Sequence, residues 1–168
     1  MQKLKESREE IVRIVEQVKI IAVSKDITIS TAESCTGGKL AESLTSIPGS
    51  SNFFDSSIIT YSNTSKVKLL GVSPETIKEY GAVSENVVQE MTIGLLERTG
   101  SDVGIAISGI MGPDADDTEK DIGSVWISIR SKRKHLTKML KLAGDRDSNR
   151  ELSVLNALSY LSDFIDGV

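Results

Sequence analysis

The chain has 168 residues, 39% of them hydrophobic, which is enough for one domain (residues 1–168) with a real core and too few for two ordinary ones. A net charge of −4, a pI near 5.1 and an aromatic content of 4% give a nucleic-acid partner neither a cationic footprint nor stacking platforms. One cysteine excludes an intrachain disulfide, and with a single histidine there are too few soft ligands for zinc, so a cytoplasmic protein without metal or cofactor is expected.

The first ten residues are too acidic and polar for a signal or transit peptide, and no apolar run approaches the roughly 20 residues that cross a bilayer. No membrane partner is expected. From Leu4 to Ser24, Ile11, Ile14, Val15, Val18, Ile21 and Ala22 recur at helical spacing and predict an amphipathic first helix. Ile27 to Thr31 is β-branched and reads as a strand, followed by a small, polar turn at Ser34 and a helix from about Gly37 to Ser46. Ile47-Pro48-Gly49-Ser50-Ser51 ends that helix. A strand over Ser57 to Tyr61 comes next, then a short helix capped by Ser62 or Asn63 that carries Lys66, Val67, Leu69 and Leu70 and stops at Gly71.

Ser73-Pro74 has the form of a helix start, and Ser84 opens a longer helix through Arg98 whose inward side takes Val87, Val88, Met91, Leu95 and Ile93. Val103 to Ser108 is apolar without alternation, as a strand buried on both faces would be. It delivers the loop Gly109 to Asp114, which runs on into an acidic stretch to Asp121. Gly123 to Ile129 and Leu136 to Leu142 read as a hairpin across a basic link, Arg130 to His135. Leu152, Leu155, Leu158 and Leu161 mark a final helix from Ser148 to Ile165. This order of elements predicts an α/β fold, a three-layer α/β/α sandwich over a mixed sheet.

Ser34 stands at a strand-to-helix turn, where free N–H groups and the helix dipole favour anions and oxyanions. Glycines at 37 and 38 let a ligand approach the backbone. Ser34 or Thr36 could equally be a simple helix cap. A serine nucleophile needs a base, and the one histidine, His135, sits in the basic link. A lysine desolvated beside a tyrosine can serve instead, because burial lowers its pKa, and Lys66 with Tyr61 would give a Ser-Lys arrangement. The alternatives are a solvated Lys66 and a Tyr61 that merely fills a strand end. Arg146, between Asp145 and Asp147, is either a helix-start ion pair or a phosphate clamp. Glu33 could orient the lysine or face outward, and Cys35 is read as a small, buried, inert thiol.

Thr31-Ala32-Glu33-Ser34-Cys35-Thr36-Gly37-Gly38, Pro48-Gly49-Ser50-Ser51, Thr60-Tyr61-Ser62-Asn63 with Lys66, Leu70-Gly71-Val72, Gly81-Ala82-Val83-Ser84, Ser108-Gly109-Ile110 with Gly112-Pro113, and Gly144-Asp145-Arg146 closely resemble the CinA C-terminal domain family. The resemblance runs in order from about Val12 to the last helix. Its stand-alone bacterial members include nicotinamide-nucleotide amidases, so it implies hydrolysis of the carboxamide of nicotinamide mononucleotide (NMN) to nicotinate mononucleotide and ammonia. It implies Ser34 as nucleophile, Lys66 as general base and Tyr61 as the phenol that positions or relays the proton. Backbone N–H groups near Cys35 and Thr36 are expected to hold the oxyanion. Gly37 belongs to that substrate-facing turn, and Ser50, Ser51, Gly109 and Arg146 are candidates for ribose and phosphate. The resemblance further implies a homo-oligomer, a dimer or larger, and a chain without the separate N-terminal domain of longer relatives.

The chain departs from the family pattern at Met111, at Ala115-Asp116-Asp117, at Asp121 and at Ser56-Ser57. Extra carboxylates near a phosphate site repel it, so these departures bear on substrate affinity more than on chemistry. Two other readings stand beside the amidase: a non-catalytic nucleotide-binding or oligomerisation module, and a Ser-Lys amidase acting on another small phosphorylated amide.

Overall fold

In a computed structural model, which describes residues 2–114 and 120–168, five strands form one sheet in the order β2-β1-β3-β4-β5. They are β1 (Ile29–Glu33), β2 (Phe54–Ile59), β3 (Val103–Gly109), β4 (Ser124–Ser131) and β5 (His135–Lys141). β1 runs parallel to β2 and β3, while β3–β4 and β4–β5 are antiparallel. Helices α1 (Gln2–Ser24), α2 (Lys39–Thr45) and α6 (Arg146–Asp166) pack on one face. Helices α3 (Asn63–Leu70), α4 (Pro74–Tyr80) and α5 (Glu85–Thr99) form the layer on the other. The architecture is the α/β/α sandwich over a mixed sheet that the element order predicts.

Two apolar cores follow from the two faces. Val15, Val18, Ile105, Ile127, Leu158 and Leu161 fill the larger one, and Ala32, Ala106, Val87, Met91 and Leu95 the smaller. β3 contributes to both, which is why its residues Val103 to Ser108 are buried and its sequence does not alternate. Ile93 does not join the core: it is 41% exposed, on the outer side of α5. β1 begins and ends two residues later than its β-branched run suggests, because Ile27 N–H is still bonded back to Ala22 of α1. β2 also stops earlier, at Ile59, and Thr60 and Tyr61 turn away into the site.

Local chemistry sets the helix that matters most for function. Ser62 accepts from Ser65 N–H, and the Ser65 side chain returns the contact to Ser62 N–H, a capping box that fixes the start of α3 directly after β2. Gly71 closes the helix, bonding back to Lys66 and Val67 carbonyls. Lys66 is thereby turned inward, toward the carboxyl end of the sheet. Asp145 likewise caps α6 by accepting from Ser148 N–H, which brings Arg146 to the same end.

Candidate active site

Ser34 is the first residue after β1, and its N–H donates to Ile107 O at 3.0 Å, extending the β1–β3 ladder one step past Glu33. The carboxyl ends of β1 and β3, whose chains leave in different directions, are where an open α/β sheet forms its crevice. Ser34, Cys35, Tyr61, Lys66, Ser108 and Arg146 are among the residues lining a cleft of about 330 Å³ there. A cavity of the same volume lies among α1, α2 and α6, around the ion pair of part-exposed Lys39 Nζ with buried Glu151 Oε2 at 2.6 Å, but among the described residues that line it no hydroxyl is bonded to an amine.

Lys66 is 1% exposed, and its Nζ lies 2.9 Å from Ser34 Oγ and 2.9 Å from the Thr60 carbonyl. Burial lowers the amine from its ordinary 10.5 to about 8. Near neutral pH a usable fraction is therefore uncharged. An uncharged amine donates to Thr60 O and keeps a lone pair to accept the Ser34 Oγ–H, so the contact that Nζ donates as ammonium reverses when the proton is lost. Beside this pair the Cys35 thiol is pushed up to about 12 by burial, which makes it inert as a nucleophile.

Glu33 neither faces outward nor touches the lysine. Fully buried, its carboxylate accepts N–H bonds from Gly38 (3.0 Å), Leu40 (3.1 Å) and Ala41 (2.8 Å) and the Thr36 hydroxyl (2.6 Å). It therefore occupies the positive end of α2, and the helix N-terminus is not open to a ligand. The N–H groups of Cys35 and Thr36 lie ahead of that cap and donate to no carbonyl or carboxylate among the described residues. Both N–H groups are turned toward the Cys35 sulfur, a weak acceptor.

Tyr61 is 62% exposed at the cleft rim, and its hydroxyl accepts from Arg146 Nη2 at 3.0 Å. Arg146 Nη1 donates to Gly112 O at 2.7 Å. Among the described residues no hydrogen bond joins the phenol to Ser34 or Lys66, and its hydroxyl sits at the cleft mouth beside Arg146. Gly109 lines the cleft, where an added Cβ would come within 2.8 Å of the Val125 side chain and 2.9 Å of Ser124 O. Gly37 is exposed on the outer side of the turn, close to Arg150, whose Nη2 donates to Thr36 O at 2.8 Å.

Ser50 and Ser51 are not brought to the cleft. They form a 3₁₀ turn at the start of β2, where Phe53 O meets Ile29 N–H, so they sit at the amino ends of the strands. The β-α-β connection carries the chain down the length of the sheet between Ser34 and this turn. Of the departures from the family pattern, Met111 is buried in the cleft wall and Asp121 is exposed. Ala115-Asp116-Asp117 lies outside the described residues. Sequence reasoning passed over Ser108, which is 1% exposed, lines the cleft and donates to Ala82 O at 2.9 Å. Its sequence signals are its place at the end of an apolar strand and in the Ser108-Gly109-Ile110 motif, neither of which assigns the hydroxyl a role.

The family model of the CinA C-terminal domain matches residues 12–165. The chain belongs to the CinA C-terminal domain family. A nicotinamide-nucleotide amidohydrolase PncC of Enterobacter agglomerans is 45% identical over 139 residues, 82% of this chain and 85% of that protein. The nicotinamide-nucleotide amidohydrolase PncC of Escherichia coli K12 is 42% identical over 153 residues, 90% of this chain and 93% of that protein. Among solved structures, a CinA superfamily protein of Klebsiella pneumoniae 700603 superposes with a TM-score of 0.91 at 31% identity, covering 94% of this chain and 99% of that one. Family and cleft thus coincide: the described residues that build the cleft fall inside the matched span.

Proposed function

We propose that the chain is a nicotinamide-nucleotide amidohydrolase that converts NMN to nicotinate mononucleotide and ammonia through a Ser34–Lys66 pair. The relatives carrying that activity in their names match over most of their own length, and the observation that carries the chemistry is the 2.9 Å contact between a buried lysine and a serine hydroxyl. In the first half-reaction, uncharged Lys66 takes the Ser34 Oγ proton as Oγ bonds to the carboxamide carbon. The carbonyl oxygen becomes an oxyanion facing the N–H groups of Cys35 and Thr36. Collapse breaks the C–N bond, Lys66 returns its proton to the nitrogen, and ammonia leaves an ester on Ser34. In the second, a water gives its proton to Lys66 and attacks the ester, the C–Oγ bond breaks, and the proton returns to Ser34.

Arg146 at the rim suits the substrate phosphate, being a planar bidentate donor beside the cleft mouth. Tyr61, which Arg146 clasps, would then border the ribose. No helix among the described residues is long and apolar enough to cross a membrane, and the reading places the chain in the cytoplasm as a homo-oligomer. The test is incubation of the purified, chelator-treated protein with NMN. One ammonia is expected for each nicotinate mononucleotide formed, and NMN recovered intact would refute the reading.

A further inference from the structure

We infer that Ser108 determines specificity for the carboxamide by accepting a hydrogen bond from its NH₂ group, an assignment that rests on the amidohydrolase reading. The β1–β3 register pairs Ala32 with Ala106 and Glu33 with Ile107, and the bond from Ser34 N–H to Ile107 O carries the pairing one residue further. Ser34 and Ser108 are thus neighbours on adjacent strands, whose backbones lie roughly 5 Å apart. Two residues before each of them, Ala32 and Ala106 point into the core beneath α5. Side chains repeat their direction every second residue along a strand, so both hydroxyls emerge on that same face, the face from which Lys66 reaches Ser34.

The hydrogen-bonding state of Ser108 is what selects its ligand. A serine hydroxyl has one proton and two acceptor lone pairs. Here the proton goes to Ala82 O at 2.9 Å, which leaves only acceptor capacity for the cleft. An acceptor beside the nucleophile suits the NH₂ of a carboxamide and opposes a carboxylate oxygen. Swinging the hydroxyl round to donate to a carboxylate would strip Ala82 O of this donor. Ser108 therefore draws the NH₂ toward β3, directs the carbonyl oxygen toward Cys35 and Thr36, and disfavours the acid once ammonia has gone. A site built to bond one polar hydrogen discriminates most against the analogue that lacks it.

The test separates substrate from product. In a Ser34→Ala background, which stops turnover, calorimetry measures NMN and nicotinate mononucleotide binding with and without Ser108→Ala. Losing one neutral hydrogen bond should weaken NMN about 2- to 12-fold, while the acid binds as before or more tightly. Ser108→Cys, which keeps the bulk and removes the strong oxygen acceptor, should move the ratio the same way. Equal weakening of both ligands, the mark of a purely structural serine, would overturn the assignment. Ammonia release by the unaltered protein is measured alongside. Its absence would sink the amidohydrolase reading itself, whereas release with an unchanged ligand preference in Ser108→Ala would sink only the role of Ser108.

Discussion

The lowered basicity of Lys66 makes the pH dependence of the reaction its most informative property. Burial at 1% exposure sets the amine at about 8, so at pH 7 about one molecule in eleven carries the free base, and at pH 9 about ten in eleven do. kcat/KM for NMN should therefore climb about tenfold between pH 7 and pH 9 and level off above it. The range is chosen to lie above the second ionisation of the substrate phosphate, near 6, so that the substrate's charge stays constant. The assay is initial-rate ammonia release at fixed ionic strength across pH 6.5–10. A profile already flat at pH 6.5, or one that falls toward alkaline pH, would refute a lysine base. The same shift acts on stability with a defined sign. Between about 8 and 10.5 the unfolded chain's lysine holds a proton that the buried amine has lost, so folding becomes more favourable as pH rises through that window.

Two further substitutions probe the supports of the site. Glu33→Gln sets an NH₂ donor against N–H groups of Gly38, Leu40 or Ala41, and a buried unsatisfied donor costs about 1–3 kcal/mol, with Tm falling about 2–4 °C per kcal/mol in a chain of this size. An unchanged Tm would show that the carboxylate does not cap α2. Gly94→Ala places a Cβ 1.7 Å from Leu70 O, a backbone atom at the end of α3 that only movement of the helix can relieve. Since α3 carries Lys66, ammonia release should fall together with Tm, and a variant with normal stability and full activity would contradict this account of how α3 is held.

The helices and the hairpin were legible because their apolar residues repeat at helical or alternating spacing and their starts carry Ser, Pro or Asp. The two-sided burial of β3 was legible for the opposite reason, since its apolar run does not alternate. Glu33 was not: in β1 all five residues are buried, so a charge there has no alternation to mark its direction, and its partners lie in a helix that had yet to be placed. The meeting of Ser34 and Lys66 could be anticipated only from chemistry and family resemblance, because α3 and β1 approach through the whole sandwich. Ser50 and Ser51 look like phosphate ligands in a line of text, being small and beside glycine. The β-α-β connection puts them at the other end of the sheet. The contact of Tyr61 with Arg146, 85 positions away, is set by the docking of α6, which no local pattern encodes.

The pairing of a serine nucleophile with a lysine base is tested most directly by ammonia release from NMN with the unaltered protein, Ser34→Ala and Lys66→Met side by side. Lys66→Met keeps the length of the side chain and removes the base together with its bond to Thr60 O, so Tm is measured beside activity to separate lost chemistry from lost folding. The expected result is release by the unaltered chain alone, with both variants still binding NMN. Turnover at the parent's rate by either variant would contradict the account.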